Sequence, residues 1–179
     1  MEPIIKPDKK SILKNRARSL AMVPEDLSAE NCLHIAVFSI GNELFGIETV
    51  YIHAIIPLKE CTPLPGAPSF VNGIINVRGQ IMALFNPCEI FQIKRIDLPV
   101  SGKIMILESP DHQNIFGITV DSIDNTRRIL LDAIKPIPQN ISGSGTGFIR
   151  GISSSGIALL DAPAFISSSM LIVNQSVEH

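Results

Sequence analysis

The sequence predicts a mainly β body, two small closed barrels side by side, and three observations carry that expectation. From Cys32 onward the chain alternates short apolar runs with clusters of Gly, Asn, Asp, Ser and Pro, which is how strands joined by turns read. The pattern then repeats in order: Phe45-Gly46-Ile47 returns as Phe116-Gly117-Ile118, and Phe70-Val71-Asn72-Gly73-Ile74 returns as Phe148-Ile149-Arg150-Gly151-Ile152. After each member of the second pair a glycine opens an apolar strand that ends on a polar residue, Gly79 to Asn86 and Gly156 to Asp161. One half-unit used twice accounts for this self-similarity. Each half then holds about five short strands, enough to close a small barrel and leave no free sheet edge.

The first barrel is expected over residues 32–93 and the second over 103–170, with a basic extension at 1–31 and a tail at 171–179. In the extension, Ile12, Leu13, Ala17 and Leu20 fall near helical spacing among Lys10, Lys14, Arg16 and Arg18, which predicts a short amphipathic helix over 9–21. Asp8 can cap it, and it stops before Pro24. Such a helix either docks on its own body or meets a membrane surface or a partner. Residues 33–40 read as a strand, 41–43 as a turn and 44–47 as the return strand. Residues 48–53 are one helical turn or a connecting strand, and 54–58 extend again. Thr62-Pro63-Leu64-Pro65-Gly66-Ala67-Pro68 is irregular, because each proline removes a backbone donor and restricts the residue before it.

That loop delivers residues 70–85, two apolar strands joined at Arg78-Gly79, where Gly79 supplies the positive φ of a tight hairpin turn. Alternation turns Ile75 and Val77 inward and leaves Ile74, Asn76 and Arg78 on the other face. The five donors of Arg78 either pin a neighbouring loop through its carbonyls or present a fork to a partner's carboxylate. Residues 86–93 can carry a short helix before a polar link at 94–102. A strand pair follows, 103–108 and 115–120, across a polar turn at 109–114. Residues 122–131 stay extended in whole or in part, 132–138 form a connection, and 141–147 form a flexible loop of glycine and serine. A last hairpin spans 148–152 and 156–160, and 164–173 read as a short terminal helix or a strand.

Composition narrows the function. The chain of 179 residues is 45% hydrophobic, enough to fill a core, and its net charge of −2 argues against a nucleic-acid binder. Charge is uneven: residues 1–20 hold six Lys and Arg against two Asp and Glu, so the remainder stands at −6. Cys32, Cys61 and Cys88 are odd in number and show no C-x-x-C pairing, which suits free thiols in a reducing compartment. Without a secretory leader or an apolar run of about 20 residues, the protein is expected in the cytoplasm, with no direct membrane insertion.

No catalytic, cofactor or metal site is expected. His34, His53, His112 and His179 are scattered, and none stands at zinc-type spacing from a Cys or Glu. No serine occupies a G-x-S-x-G elbow, and Ser144-Gly145-Thr146-Gly147 lacks the lysine and following helix of a phosphate-binding loop. Asp121, Asp124, Asp132 and Asp161 read as carboxylates of turns and strand ends rather than a phospho-acceptor, because the pattern is antiparallel. Such a body suits a docking module, for which the sequence leaves two versions open: an adaptor between partners, or a stand-alone dock.

The strings Leu33-His34-Ile35-Ala36-Val37-Phe38-Ser39-Ile40-Gly41-Asn42-Glu43-Leu44-Phe45-Gly46-Ile47 and Pro65-Gly66-Ala67-Pro68-Ser69-Phe70-Val71-Asn72-Gly73-Ile74-Ile75-Asn76-Val77-Arg78-Gly79 resemble the CheW domain of chemotaxis systems. The likeness runs through Phe116-Gly117-Ile118-Thr119-Val120-Asp121 and Phe148-Ile149-Arg150-Gly151 to Leu159-Leu160-Asp161. The resemblance implies two SH3-like five-stranded barrels and a non-enzymatic adaptor that couples the cytoplasmic tips of methyl-accepting chemoreceptors to a CheA-type histidine kinase. It also implies a partner-binding set: Asn76, Arg78 and Gly79 match the family's N-x-R-G hairpin, and Val50, Ile52 and Ala54 match its kinase-facing region. Two departures stand out, Ala54 where the family often carries an acidic or polar residue, and Asn86 where aspartate commonly ends the hairpin strand.

Overall fold

A computed structural model describes residues 31–94, 102–137, 145–169 and 171. The helix expected over 9–21, most of the link at 94–102, part of the loop at 141–147 and the tail beyond 171 lie outside the described residues. Eleven strands follow in chain order: β1 (Cys32–Ile40), β2 (Glu43–Glu48), β3 (Ile52–Pro57), β4 (Val71–Val77), β5 (Gln80–Phe85), β6 (Lys103–Glu108), β7 (Ile115–Val120), β8 (Ser122–Leu130), β9 (Ile134–Lys135), β10 (Ile149–Ser153) and β11 (Ala158–Leu160). Two five-residue helices, α1 (Pro87–Phe91) and α2 (Ala162–Ile166), close the halves, and a 3-10 turn at Thr49–Tyr51 leads into β3. The expected mainly β architecture is therefore present, and the ambiguous terminal segment starts as a helix.

The strands sort into two sheets whose membership departs from the expected halves. One has the order β3-β6-β7-β5-β4 and the other β8-β1-β2-β11-β10-β9. The hairpin that opens each half of the sequence is thus seated in the sheet of the other half. Residues 32–48 are not part of the sheet that carries Arg78, as the contiguous division at 32–93 and 103–170 required; residues 103–120 take that place. The exchange is sealed by two parallel contacts, Leu84 opposite Gly117 and Leu159 opposite Gly46.

The repeat in the sequence is a repeat in detail. Register shifts fall between Val71 and Gly73 and again between Ile149 and Gly151. A Cβ on Gly73 would lie 2.2 Å from the Thr62 carbonyl oxygen, and one on Gly151 would lie 2.5 Å from that of Lys135, so both positions let a second backbone run alongside. Phe70 and Phe148 accept from the amides of Asn86 and Asp161 at 2.7 and 2.8 Å. The same two polar residues cap the helices: Asn86 Oδ1 accepts from the Cys88 amide at 3.1 Å, and Asp161 Oδ1 from the Ala164 amide at 3.0 Å.

The core has three parts because alternation gives each strand two faces. Phe45 and Ile47, like Phe116 and Ile118, point into a large shared cluster, while Gly46 and Gly117 between them face the interior of each sheet. Those interiors hold Ile35, Val37, Ile157 and Leu159 in one case, and Ile75, Met82, Leu84, Ile104 and Ile106 in the other. All eight phenylalanines of the chain join in one network of ring contacts with centroids 5.1–6.2 Å apart, at distances where aromatic pairs attract. The network welds the two sheets and fixes the hairpin β4–β5 on a rigid base.

Candidate functional site

The tip of the β4–β5 hairpin is the most sharply built exposed feature. Arg78 and Gly79 form its two-residue turn with φ values of 53 and 91, so both residues, not the glycine alone, hold a left-handed backbone. Asn76 Oδ1 accepts from the Gly79 amide at 2.9 Å, and Lys59 Nζ donates to the Asn76 carbonyl. Asn76 therefore braces the turn with its side chain. Ile75 is buried and Val77 half-buried on the inner face, as alternation required, while Asn76 and Arg78 are exposed. Among the described residues no side chain or carbonyl bonds the guanidinium, so of its two open roles the pin on a neighbouring loop is not seen.

Arg78 helps line a shallow cavity of about 180 Å³ with His53, Ala54, Ile55 and Ile56 of β3 and with Val77 and Met82 of the hairpin. The missing acidic residue matters here: Ala54 lies in the same hollow as Arg78 and offers it no carboxylate. Val50 stands almost free in solvent at 73% exposure, whereas Ile52 and Ala54 are half-buried and pack on the cores. The exposed side of β3 is instead His53 and Ile55, and Ile81 on the outer face of β5 adds a further apolar surface, 67% exposed. The structure thus places Ala54, Val77 and Arg78 around one hollow and leaves Ile52 directed into the body.

An ionic cluster adjoins this surface. His53 Nδ1 meets Glu108 Oε2 at 2.6 Å, and His112 Nδ1 meets Glu108 Oε1 at 2.7 Å. The His112 bond, opposed by partial burial and joined by the His53 bond, holds the Glu108 carboxyl below the usual carboxylate range. The Ser109 hydroxyl and the Gln113 amide do the same for Asp111. Sequence reasoning missed this cluster, since His53 and Glu108 are 55 positions apart and meet only through the pairing of β3 with β6. An exposed cation, apolar neighbours and a rigid mount can hold a partner by shape and charge.

Residues 34–170 match the family described as the CheW-like domain. The chain belongs to that family. Among CheW relatives, the chemotaxis protein CheW of Treponema pallidum is 28% identical over 130 residues, covering 70% of this chain and 75% of that protein. The chemotaxis protein CheW of Klebsiella aerogenes is 23% identical over 144 residues, covering 79% and 86%. The crystal structure of the scaffolding protein TtCheW from Thermoanaerobacter tengcongensis superposes with a TM-score of 0.63 at 27% identity, covering 72% of this chain and 88% of that one. The CheW-like chain is therefore a chemotaxis adaptor, in a family of scaffold proteins. Among its described residues no helix is long and apolar enough to cross a membrane.

Proposed function

We propose that this adaptor couples the cytoplasmic tips of methyl-accepting chemoreceptors to a CheA-type histidine kinase, without chemistry of its own. The observation that carries the reading is the exposed Arg78 on a braced turn, unpaired among the described residues and sharing a hollow with the exposed apolar side chain of Ile55. Val50 and Ala54 belong to the kinase-facing side, which Ile52 supports from the body, and Asn76 and Gly79 hold Arg78 in position. Each sheet forms an SH3-like barrel. The isolated bridge between Thr62 and Ile74 supports this, because it brings the chain leaving β3 against β4 at the opposite end of the same sheet. The working place is the cytoplasm, where receptor tips and kinase meet. Holding both at fixed geometry lets a receptor change bias the kinase between its states.

The test is co-elution of the purified protein with a CheA-type kinase, and receptor-dependent kinase autophosphorylation with and without it. Binding and stimulation are expected, and Arg78→Glu should weaken binding about tenfold or more, as reversal of an interfacial charge does. Kinase binding that survives Arg78→Glu undiminished, with no receptor retained, would instead describe a dock for another signalling protein.

A further inference from the structure

Two unusual pieces of backbone converge on one carboxylate. The β3–β6 register shifts between Ile52 and Ala54, which makes His53 the extra residue of a bulge, a device that re-aims a side chain. His112, in the turn between β6 and β7, sits at φ 57, a conformation uncommon for residues with a Cβ. Both rings point Nδ1 at Glu108, one to each oxygen. An ionised carboxylate only accepts, so in each neutral ring Nδ1 carries the proton and Nε2 is the acceptor. Gaining a second proton turns the Nε2 of each ring from an acceptor into a donor and adds a positive charge.

We propose that the His53–Glu108–His112 cluster makes the docking face beside Arg78 pH-responsive, so that protonation of the two imidazoles takes the cluster itself from net negative to net positive and tightens the face's hold on a partner carboxylate. The inference rests on the docking reading above. His53 lines the same hollow as Arg78, so its charge is felt where a partner would sit. Charged or titratable groups around the cluster include Arg78 across the hollow, Lys59 bonded to the Asn76 carbonyl next to Arg78, Asp111 beside His112, and Tyr51, which lines an adjoining cavity with Asp111. Arginine stays cationic, Asp111 stays ionised, and burial first, then the Glu48 carboxylate, raise the Tyr51 phenol above its usual value. Imidazole is the group that changes charge across the physiological range.

The experiment measures the affinity of the full chain for a CheA-type kinase at about pH 6 and about pH 8, for wild type, His112→Gln, and the double variant His53→Gln/His112→Gln. Wild type should bind about two- to fivefold more tightly in acid, the effect of partly exposed charges, and the double variant should lose most of that ratio. His112→Gln lies on an exposed turn and should lose part of the ratio, even if the double variant folds poorly. Equal wild-type affinity at both pH values, weaker binding in acid, or an unchanged ratio in the variants overturns the inference while leaving the docking face intact. No kinase binding at either pH removes the docking reading, and the inference with it.

Discussion

Arg78 holds a backbone conformation that costs a residue with a Cβ about 1–2 kcal/mol relative to the right-handed region. Asparagine tolerates that conformation far better, so a chain selected for stability alone would place asparagine or glycine there. Arg78→Asn should accordingly leave the melting temperature unchanged or raise it by about 2–4 °C, while weakening kinase binding. A scanning-calorimetry trace beside a binding isotherm checks both halves, and a lower melting temperature with full binding would contradict this account of the residue. Asn76 acts in the opposite sense. Asn76→Ala removes the acceptor of the Gly79 amide and should destabilise the fold by about 1 kcal/mol. Glu108 yields a pH prediction at the same scale. Its carboxyl is held below the usual range in the folded state, so the stabilisation is complete above about pH 4.3 and disappears as pH falls through the lowered value. Glu108→Gln should therefore be less stable than wild type near neutrality, with the gap closing in strong acid, as thermal melts across a pH series would show.

At the scale of elements, the paired glycines separate two kinds of tightness. A Cβ at position 46 would meet the Cδ1 of Ile35 at 2.7 Å, the movable end of a side chain, whereas one at position 73 would meet the Thr62 backbone at 2.2 Å with φ at 141. Gly46→Ala should cost about 1–3 kcal/mol, and Gly73→Ala or Gly151→Ala distinctly more, up to loss of folding. Urea midpoints rank the three variants. The hairpin β4–β5 was legible in the sequence because its signals are local: apolar strands of matched alternation around Arg78-Gly79. The turns at 41–43 and 109–114 and both strands around the latter were readable for the same reason. Two features at the site were not. Nothing local marks Arg78 itself as left-handed, since that follows from Gly79 and the Asn76 brace acting together. The side of β3 that faces solvent depends on which residue the bulge admits, so Val50, Ile52 and Ala54 did not announce that His53 and Ile55 stand outside.

For the whole molecule, the repeat was visible as strings, but the exchange of hairpins was not, because it is decided by pairings such as Phe45 with Ala158 that link opposite ends of the chain. The exchange predicts that neither half stands alone. A fragment ending at residue 94 lacks β6 and β7, two neighbouring strands within its sheet of five, and leaves the shared phenylalanine network open. It should be unfolded by circular dichroism, and the intact chain should melt in one cooperative step rather than two. Two resolved transitions would show that the sheets are energetically separate. The interleaving also bears on ancestry. A primordial gene encoding one half would have produced a chain with a dangling hairpin and an unfinished sheet, and only a sister molecule could have completed both. Fusion of two such genes would turn a symmetric pair into a single polypeptide and free its twin tips to differ, as they do here, one with a guanidinium and the other, at Ser155-Gly156, with a hydroxyl.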